Sequence, residues 1–292
     1  MVTKGYYPGC SAKGTSKEYE MSAKKVYEAL GIELQELEEW MCCGSSPAHT
    51  SSLLLADALA LKNLSLAKEQ GLKELIVPCM GCYSRFEFAH HDLKEDEDLR
   101  KKAEEAAGVK YDASIKKIET IHPLTHLAKN IDLIKEKLKK KPEGLKAVCY
   151  YGCVFTRPPD VTNVENFEDP KEMDTLLKAV DVEVINWNFK TKCCGVAFSV
   201  TNQDVAFELC NRILSNAKDA GADIIVVACP MCQGNLDMRQ KQIEKKYNTQ
   251  YNIPVLYITQ ILGLALGYSY KDVGLDKNFV DSKGVLKENC LL

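Results

Sequence analysis

The sequence lacks the features that mark several common classes of protein. No apolar run approaches the roughly 20 residues that a helix needs to cross a bilayer, because Lys, Asp or Asn interrupts the longest ones. The formal net charge is only −3, which gives no strong basic field to attract nucleic acid. The first residues, MVTKGYYPGC, contain no apolar region of the kind a signal peptide requires. We therefore expect a cytoplasmic protein with no membrane span and no nucleic-acid partner.

Sequence motifs of conventional redox cofactors are missing as well. The chain contains no CxxCxxCxxxCP run of the ferredoxin type and no glycine fingerprint for a flavin or a nicotinamide nucleotide. If the protein has a redox role, it must receive its electrons from another source. We expect that source to be an obligate partner protein that carries conventional clusters.

Cysteine, in contrast, is abundant, with 13 in a chain of 292 residues. A secreted disulfide framework usually has an even number of cysteines in a short chain with a signal sequence, and this chain fits none of these criteria. In a reducing compartment so many thiols are either metal ligands or scattered core residues. Their spacing distinguishes these two explanations.

Ten of the cysteines form two sets with the same order and nearly equal spacing. Each set has a single cysteine, then an adjacent Cys-Cys-Gly, then a Cys-x-x-Cys. The gaps are 31 and 35 residues in the first set and 39 and 34 in the second, and we expect the longer gap to lie in a loop around Pro158 to Pro170. The pattern indicates an internal repeat. The sets are Cys10, Cys42, Cys43, Cys79 and Cys82, and then Cys153, Cys193, Cys194, Cys229 and Cys232.

The segments around the two sets also match in predicted secondary structure. Apolar strands are predicted to end at the first cysteine of each set and again at each Cys-x-x-Cys. Helices are predicted from Leu53 to Gln70 and from Asp204 to Ala220. The glycines that follow them, Gly71 and Gly221, are typical of left-handed C-terminal caps.

This alternation of strands and helices predicts the fold class. We expect an α/β protein of two pseudo-symmetric repeats, each a mainly parallel sheet flanked by helices. The Lys-rich stretch from Lys135 to Lys141, followed by Pro142 to Gly144, is the predicted linker. It divides the chain into a first domain of residues 1–143 and a second of residues 144–292. Sites in open parallel sheets form at the carboxyl ends of strands, where the cysteine motifs are predicted.

Five thiolates per repeat exceed what a simple metal site needs. Structural zinc takes four ligands, and a cubane cluster of four irons also takes four cysteines. Either one cysteine of each set is not a ligand, or the cluster is opened so that more thiolates can bind. Adjacent cysteines diverge along an extended backbone and favour a cluster, while zinc in one or both sites is the alternative. The glycine after each pair is predicted to give the backbone room beside inorganic sulfide.

The pattern Cys-x31-39-Cys-Cys-x34-35-Cys-x-x-Cys is the cysteine-rich CCG signature. Two copies in a chain of this length resemble the B subunit of heterodisulfide reductase from methanogenic archaea, and the resemblance covers essentially the whole chain. The signature is less specific for the substrate. Related CCG proteins serve glycolate, lactate, glycerol-3-phosphate, succinate and thiol:fumarate oxidoreductases.

The resemblance implies a cofactor, a reaction and partners. The two sets of cysteines would hold two 4Fe-4S clusters, each of an unusual non-cubane type. The chain would be the catalytic subunit of a CoB–CoM heterodisulfide reductase, which reduces the mixed disulfide of coenzyme M and coenzyme B to two thiols. Electrons would come from the A and C subunits of that enzyme, in a complex that can include a hydrogenase. The alternative is a CCG-type electron-transfer subunit of one of the other oxidoreductases.

A substrate of this kind carries a sulfonate, a phosphate and carboxylates, so cationic anchors are expected near the ligand loops. The candidates are Lys13, Arg85, Arg157 and Lys192, although an ordinary solvated side chain is the simpler interpretation of each. No general acid is assigned, because the released products can take their protons from solvent.

Other cysteines and histidines are given structural interpretations. Cys149 and Cys210 are predicted to be buried core thiols, and Cys290 to lie in a frayed tail. His122 and His126 are four residues apart, a spacing that suits a metal, but nothing supplies further ligands. The apolar segment Ile258 to Leu266 can serve a partner interface or pack within the second repeat.

Three more histidines lie close to the first set of cysteines. His49 follows the first CCG motif and can line the site, although a hydrogen-bonded structural histidine is the preferred interpretation. His90 and His91 are predicted to end the helix after Cys82, where they would interact favourably with the helix dipole.

Overall fold

A computed structural model describes residues 2–45, 47–162, 164 and 166–292. In these residues the chain forms two consecutive units, each with a sheet of four strands flanked by helices. The predicted α/β class and its duplication are confirmed. The first unit also has a short 3-10 helix at Ile115–Lys117, and the second has two, at Val196–Phe198 and Leu275–Lys277.

The elements of the first unit are β1 Val2–Tyr6, α1 Gly9–Lys13, α2 Lys17–Ala29, β2 Ile32–Glu36, α3 Pro47–Ser51, α4 Leu53–Glu69, β3 Glu74–Ile76, α5 Met80–Glu95, α6 Glu97–Ala107, β4 Glu119–Ile121, α7 Pro123–Lys129 and α8 Ile131–Glu136. The elements of the second unit are β5 Lys146–Tyr150, α9 Pro159–Thr162, α10 Glu172–Ala179, β6 Glu183–Val184, α11 Gln203–Asp219, β7 Ile224–Val227, α12 Pro230–Leu236, α13 Gln240–Tyr247, β8 Val255–Tyr257, α14 Ile258–Ala265 and α15 Lys283–Glu288.

Both sheets are parallel and have the same strand order, β2-β1-β3-β4 in the first unit and β6-β5-β7-β8 in the second. The chain adds strands on one side of β1 and then on the other side, so the direction of winding changes between β1 and β3. The same change lies between β5 and β7. In open α/β sheets the crevice at such a switch point, at the carboxyl ends of the strands, is the usual ligand site.

The helices that precede β3 and β7 begin and end as their sequences indicate. The Ser52 hydroxyl accepts a hydrogen bond from the N–H of Leu55 at 3.2 Å, which caps α4. At the other ends, Gly71 and Gly221 have φ of +71° and +76°, the left-handed conformation predicted for both. The predicted helix ends agree with the structure to within one residue.

The two units pack against each other through equivalent pairs of helices. Helix α2 of the first unit contacts α14 of the second, and the equivalent helices with the units exchanged, α10 and α7, also contact each other. The pairs α1 with α12 and α9 with α5 are related in the same way. Contacts of this kind are those that a pseudo-twofold axis between the units produces. The largest hydrophobic core therefore crosses the interface, joining residues of α2 and α7 to those of the second sheet.

The apolar segment Ile258 to Leu266 has its explanation in this interface. It forms α14, whose residues are all buried, and it packs on α2 of the other unit. Neither a partner protein nor packing within the second repeat alone accounts for its composition.

The linker and the end of the chain are better ordered than expected. Helix α8 continues to Glu136, into the predicted linker, and the N–H groups of Lys139 and Lys140 donate to the Ala265 carbonyl at 2.9 and 3.0 Å. The prediction of a frayed tail at Cys290 is wrong. Although Cys290 is exposed, the next residue, Leu291, is fully buried.

The longer gap of the second set lies where it was expected. After Cys153 the chain forms the single turn α9, and then residues without regular structure lead to α10, with positions 163 and 165 outside the described residues.

Candidate metal centre

The parallel sheets bring each set of cysteines to one edge. In the first unit Cys10 follows β1, the Cys42-Cys43 pair follows β2 and the Cys-x-x-Cys follows β3. These are three adjacent strands, so their carboxyl ends meet. In the second unit the corresponding motifs follow β5, β6 and β7 in the same order. Residues far apart in sequence are thereby gathered into two groups.

In the first group the thiols of Cys43 and Cys82 are 3.1 Å apart, and Cys79 hydrogen-bonds Cys82. These three side chains are buried, whereas Cys10 and Cys42 are exposed. Cys10 is close enough to Cys79, Cys42 and Cys43 for their charges to raise its pKa further above the increase caused by burial. The five predicted cysteines of the first unit therefore lie together.

The second group repeats this arrangement. The thiols of Cys194 and Cys232 are 3.7 Å apart, Cys229 hydrogen-bonds Cys232, and Cys153 hydrogen-bonds Cys193. Cys194, Cys229 and Cys232 are buried, Cys153 is half-buried and Cys193 is exposed. In both groups, a buried trio is accompanied by two cysteines nearer to solvent.

In each group a hydrogen bond between two thiols lowers the pKa of one of them to near neutral pH. The hydrogen bond from Cys82 lowers the pKa of Cys43 to about 7, and the one from Cys153 lowers the pKa of Cys193 to about 6. The pKa of each partner thiol is raised in return. The thiolate is the form that binds metal, so each group is prepared to exchange its protons for a metal centre.

Four glycines shape the two groups. Gly44 and Gly195, after the adjacent cysteines, have φ of +84° and +73°, and a Cβ there would lie 2.9 and 3.0 Å from the Cα atoms of Ala56 and Ala206. These glycines therefore allow the Cys-Cys-Gly loops to lie close against α4 and α11. The glycines that approach sulfur are Gly9 and Gly152, where a Cβ would lie 3.1 and 3.0 Å from the thiols of Cys82 and Cys232.

The donor set suits a centre of several metal ions. Thiolates are soft ligands that suit both zinc and iron–sulfur clusters. The fifth thiolate and the adjacent pair in each group favour a polynuclear cluster, which these ten residues would hold.

A cavity of about 410 Å³ lies between the two units, and its wall contains residues next to both groups of cysteines. Ser45 follows the first Cys-Cys-Gly, Gly81 lies within the first Cys-x-x-Cys, and Val154, Val196 and Met231 adjoin or lie within motifs of the second unit. The two Cys-x-x-Cys turns also pack directly, because a Cβ on Gly81 would lie 2.7 Å from Cε of Met231. The sequence pattern gave no sign of this contact.

Two of the four cationic candidates line this cavity, namely Arg85 and Arg157. Nη2 of Arg85 is 2.7 Å from Oδ1 of Asp57, and both side chains are buried. The same Nη2 lies 3.4 Å from Oδ2 of Asp92, and the Nε of Arg85 is buried with no acceptor among the described residues. Arg157 pairs with Glu168 at 2.6 Å near the surface.

The other two candidates lie elsewhere. Lys13 binds the carboxylates of Glu20 and Glu36 at 3.0 and 2.6 Å, which neutralises its charge. Lys192 is exposed. Neither belongs to the described residues that form the wall of the cavity.

The remaining cysteines and most of the histidines have the structural roles expected of them. Cys149 and Cys210 are fully buried, and burial raises the pKa of both thiols. His122 and His126 are buried as well, and desolvation lowers the pKa of each to about 4. His49 lies on the wall of the cavity between the units.

The interpretation of His90 and His91 as residues at a helix end is wrong. Helix α5 continues to Glu95, so neither histidine lies at the C-terminus of the dipole. His90 instead packs into the first unit, where its Nδ1 is 2.9 Å from the hydroxyl of Tyr111.

The fold and the donor groups together define a duplicated, cysteine-rich α/β protein with two thiolate centres on one cavity. A family model described as the CCG cysteine-rich domain matches residues 4–87 and 147–237. The chain therefore belongs to the CCG family, and within it to the group that contains the B subunit of heterodisulfide reductase. This membership supports iron–sulfur clusters as the cofactor and a role as one component of a multi-subunit oxidoreductase.

Relatives at similar identity have different names. The chain is 29% identical to the B subunit of ferredoxin:CoB-CoM heterodisulfide reductase of Methanosarcina mazei, over 94% of this chain and 92% of that protein. It is 30% identical to the membrane anchor subunit of 8-methylmenaquinol:fumarate reductase of Wolinella succinogenes, over 95% of this chain and 96% of that protein. In the described part of this chain no helix has the length and apolar character to cross a bilayer.

A solved structure supports the fold independently. A hypothetical protein from Helicobacter pylori superimposes with a TM-score of 0.76 at 16% identity, over 97% of this chain. This chain spans 52% of the length of that protein. At this identity the likeness concerns the fold alone.

Proposed function

We propose that the chain is the catalytic subunit of a cytoplasmic disulfide reductase. The two groups of five cysteines hold two non-cubane 4Fe-4S clusters, and the substrate is the heterodisulfide of coenzyme M and coenzyme B. The observation that supports this proposal most is the cavity between the units, whose wall joins residues next to both groups. A disulfide lying there is close to both centres at once.

The number of electrons agrees with the number of centres. Cleaving one disulfide to two thiols consumes two electrons and two protons, and an iron–sulfur cluster normally supplies one electron. Two centres beside one cavity can therefore each donate one electron to one of the two sulfur atoms. A thiol-based reductase would instead need a nucleophilic cysteine and a mixed disulfide.

The chain's own residues supply binding and exclusion of water. Arg85 and Arg157 lie on the wall of the cavity, where their positive charges favour anionic groups of the substrate. Val154, Val196 and Met231 give the cavity an apolar side, where the disulfide can lie without solvent. The product thiolates take their protons from water after release.

The electrons must come from a partner protein with one-electron centres. The C and A subunits of heterodisulfide reductase, in a complex that can include a hydrogenase, are the proposed donors. The exposed cysteines, Cys10 and Cys42 in one unit and Cys193 in the other, mark the sides on which each centre lies nearest to the surface.

Spectroscopy of the oxidised, anaerobic protein tests the proposal. Electron paramagnetic resonance spectra are recorded with and without the coenzyme M thiol, with a chemically similar alcohol as the control. We expect a new signal that only the thiol produces, because a cluster next to the cavity binds the sulfur. Identical spectra with thiol and alcohol, in a protein that contains both clusters, would contradict the proposal.

The Wolinella relative favours a second candidate, an electron-transfer subunit of another oxidoreductase. The same two clusters would then pass electrons between partners without binding a thiol. In that case the clusters are reduced and reoxidised by partner proteins, while disulfides have no effect on their spectra.

A further inference from the structure

The residues that precede the two Cys-x-x-Cys turns are held by side chains at the interface between the units. Pro78 and Ala228 occupy equivalent positions, each directly before the first cysteine of its turn. Nε2 of His122 is 2.8 Å from the Pro78 carbonyl oxygen, and the hydroxyl of Tyr19 donates to the Ala228 carbonyl at 3.0 Å. Both side chains belong to the first unit, so one of these bonds crosses the interface.

His122 holds the first turn. The N–H of Leu124 donates to its Nδ1 at 3.1 Å, so Nδ1 is the acceptor and Nε2 carries the proton given to Pro78. The imidazole is fully buried, and its ring meets the edge of Phe155, two residues after Cys153.

The side chain of Tyr19, like that of His122, is held in place by its neighbours. Its ring stacks on Tyr257 with 4.2 Å between ring centroids and an angle of 6°, and it is almost fully buried. Tyr257 is the N-cap of α14 as His122 is the N-cap of α7. Tyr19, His122 and the carbonyls of Pro78 and Ala228 therefore form one buried group that touches both Cys-x-x-Cys turns.

We propose that Tyr19 and His122 are positioning residues that hold the two Cys-x-x-Cys turns at a fixed separation and link the surroundings of the two clusters. Each bonded carbonyl belongs to the peptide group that leads into Cys79 or Cys229. Fixing that peptide fixes the direction of the cysteine side chain, and the bond from Tyr19 reaches across the interface to the second turn. The inference rests on the two-cluster function proposed above.

A buried tyrosine hydroxyl on α2 can lack a hydrogen-bond partner in the folded protein. Tyr27 is on the same helix and is also fully buried, yet no partner among the described residues bonds its hydroxyl. His126 offers the same comparison for His122, because it is a buried histidine of α7 whose Nδ1 is unpartnered in the described residues. These two residues provide matched controls.

The first experiment compares Tyr19→Phe with Tyr27→Phe in the cluster-loaded protein. Both remove one buried hydroxyl, but only the first removes a bond to the turn of Cys229. We expect Tyr19→Phe to shift the midpoint potential of one cluster and to speed amide hydrogen exchange in residues 226–233. Tyr27→Phe should change neither quantity.

The second experiment compares His122→Asn with His126→Asn. Asn is a good N-cap, so it can still accept from Leu124 at the start of α7, but it is too short to reach Pro78. We expect His122→Asn to shift the potential of the cluster held by Cys79 and Cys82 and to speed exchange in residues 76–83. His126→Asn should leave that potential and that segment unchanged.

A purely structural role would give a different result. If Tyr19→Phe and His122→Asn lower the unfolding temperature but give the same cluster potentials and exchange rates as their controls, the inference is overturned. That outcome leaves the proposed function intact. Wild-type protein that binds no iron would instead refute the proposed function, and the inference with it.

Discussion

Gly152→Ala tests whether Cys232 binds iron, since a Cβ at this position would lie 3.0 Å from its sulfur. Ordinary contacts between non-bonded atoms are about 3.5–4.0 Å, so the sulfur has to move by about 0.5 Å or more. Metal–ligand distances tolerate only about 0.2 Å. We therefore expect the substitution to abolish the second cluster.

Gly221→Ala is the matched control for this substitution. Gly152 and Gly221 have φ of +74° and +76°, so alanine at either position costs roughly 1–2 kcal/mol of backbone strain. A Cβ at Gly221, however, meets nothing within 4 Å. The two variants should therefore lose similar stability and differ in metal binding.

The test measures the iron content and the unfolding temperature of each variant after anaerobic reconstitution. We expect about eight irons per chain in the wild type and in Gly221→Ala, and about four in Gly152→Ala. Gly9→Ala, whose Cβ would lie 3.1 Å from the sulfur of Cys82, should remove the other four. If Gly152→Ala keeps all of its iron, Cys232 is not a ligand in the arrangement described.

Three further outcomes follow from charges in the structure. His122 has a pKa of about 4 in place of 6.5, so its contribution to stability is complete above 6.5 and lost as the pH falls towards 4. His126 has the same shift, so urea unfolding should show a loss of stability between pH 7.5 and pH 5 that is about 2 kcal/mol larger in the wild type than in His122→Asn. Asp57→Asn leaves buried Arg85 with only the more distant Asp92, at 3.4 Å, as its counter-ion and should cost up to about 3 kcal/mol, whereas Asp57→Leu combined with Arg85→Met should restore most of it. Arg157→Gln should raise the KM for an anionic disulfide more than it lowers kcat, and an unchanged KM would exclude this side chain as an anchor.

The repeat of ten cysteines predicted much of the fold and of the metal site. The similar spacing of the cysteines in the two sets indicated the repeat, and the apolar runs before the motifs predicted strands that end there. The parallel order of those strands then gathers five distant thiols at one edge of each sheet. The bounds of the helices before Gly71 and Gly221 could be predicted from the sequence, because helix caps and apolar periodicity depend on residues that are neighbours in the sequence.

Features that depend on contact between the units could not be predicted from local pattern. The sequence around Tyr19 is that of an ordinary buried residue, and only the packing of α2 on the second unit brings its hydroxyl to the turn of Cys229. The same holds for Met231 against Gly81. The error at His90 had a local cause, since α5 has no breaking residue there and continues to Glu95.

Metal counting on anaerobically purified protein, together with Mössbauer spectroscopy of the same sample, decides whether the ten cysteines hold two polynuclear iron centres. We expect about eight irons per chain, little zinc, and spectra of iron bound by sulfur. About two zinc ions per chain, with no bound iron after reconstitution, would show that the two thiol groups are structural zinc sites.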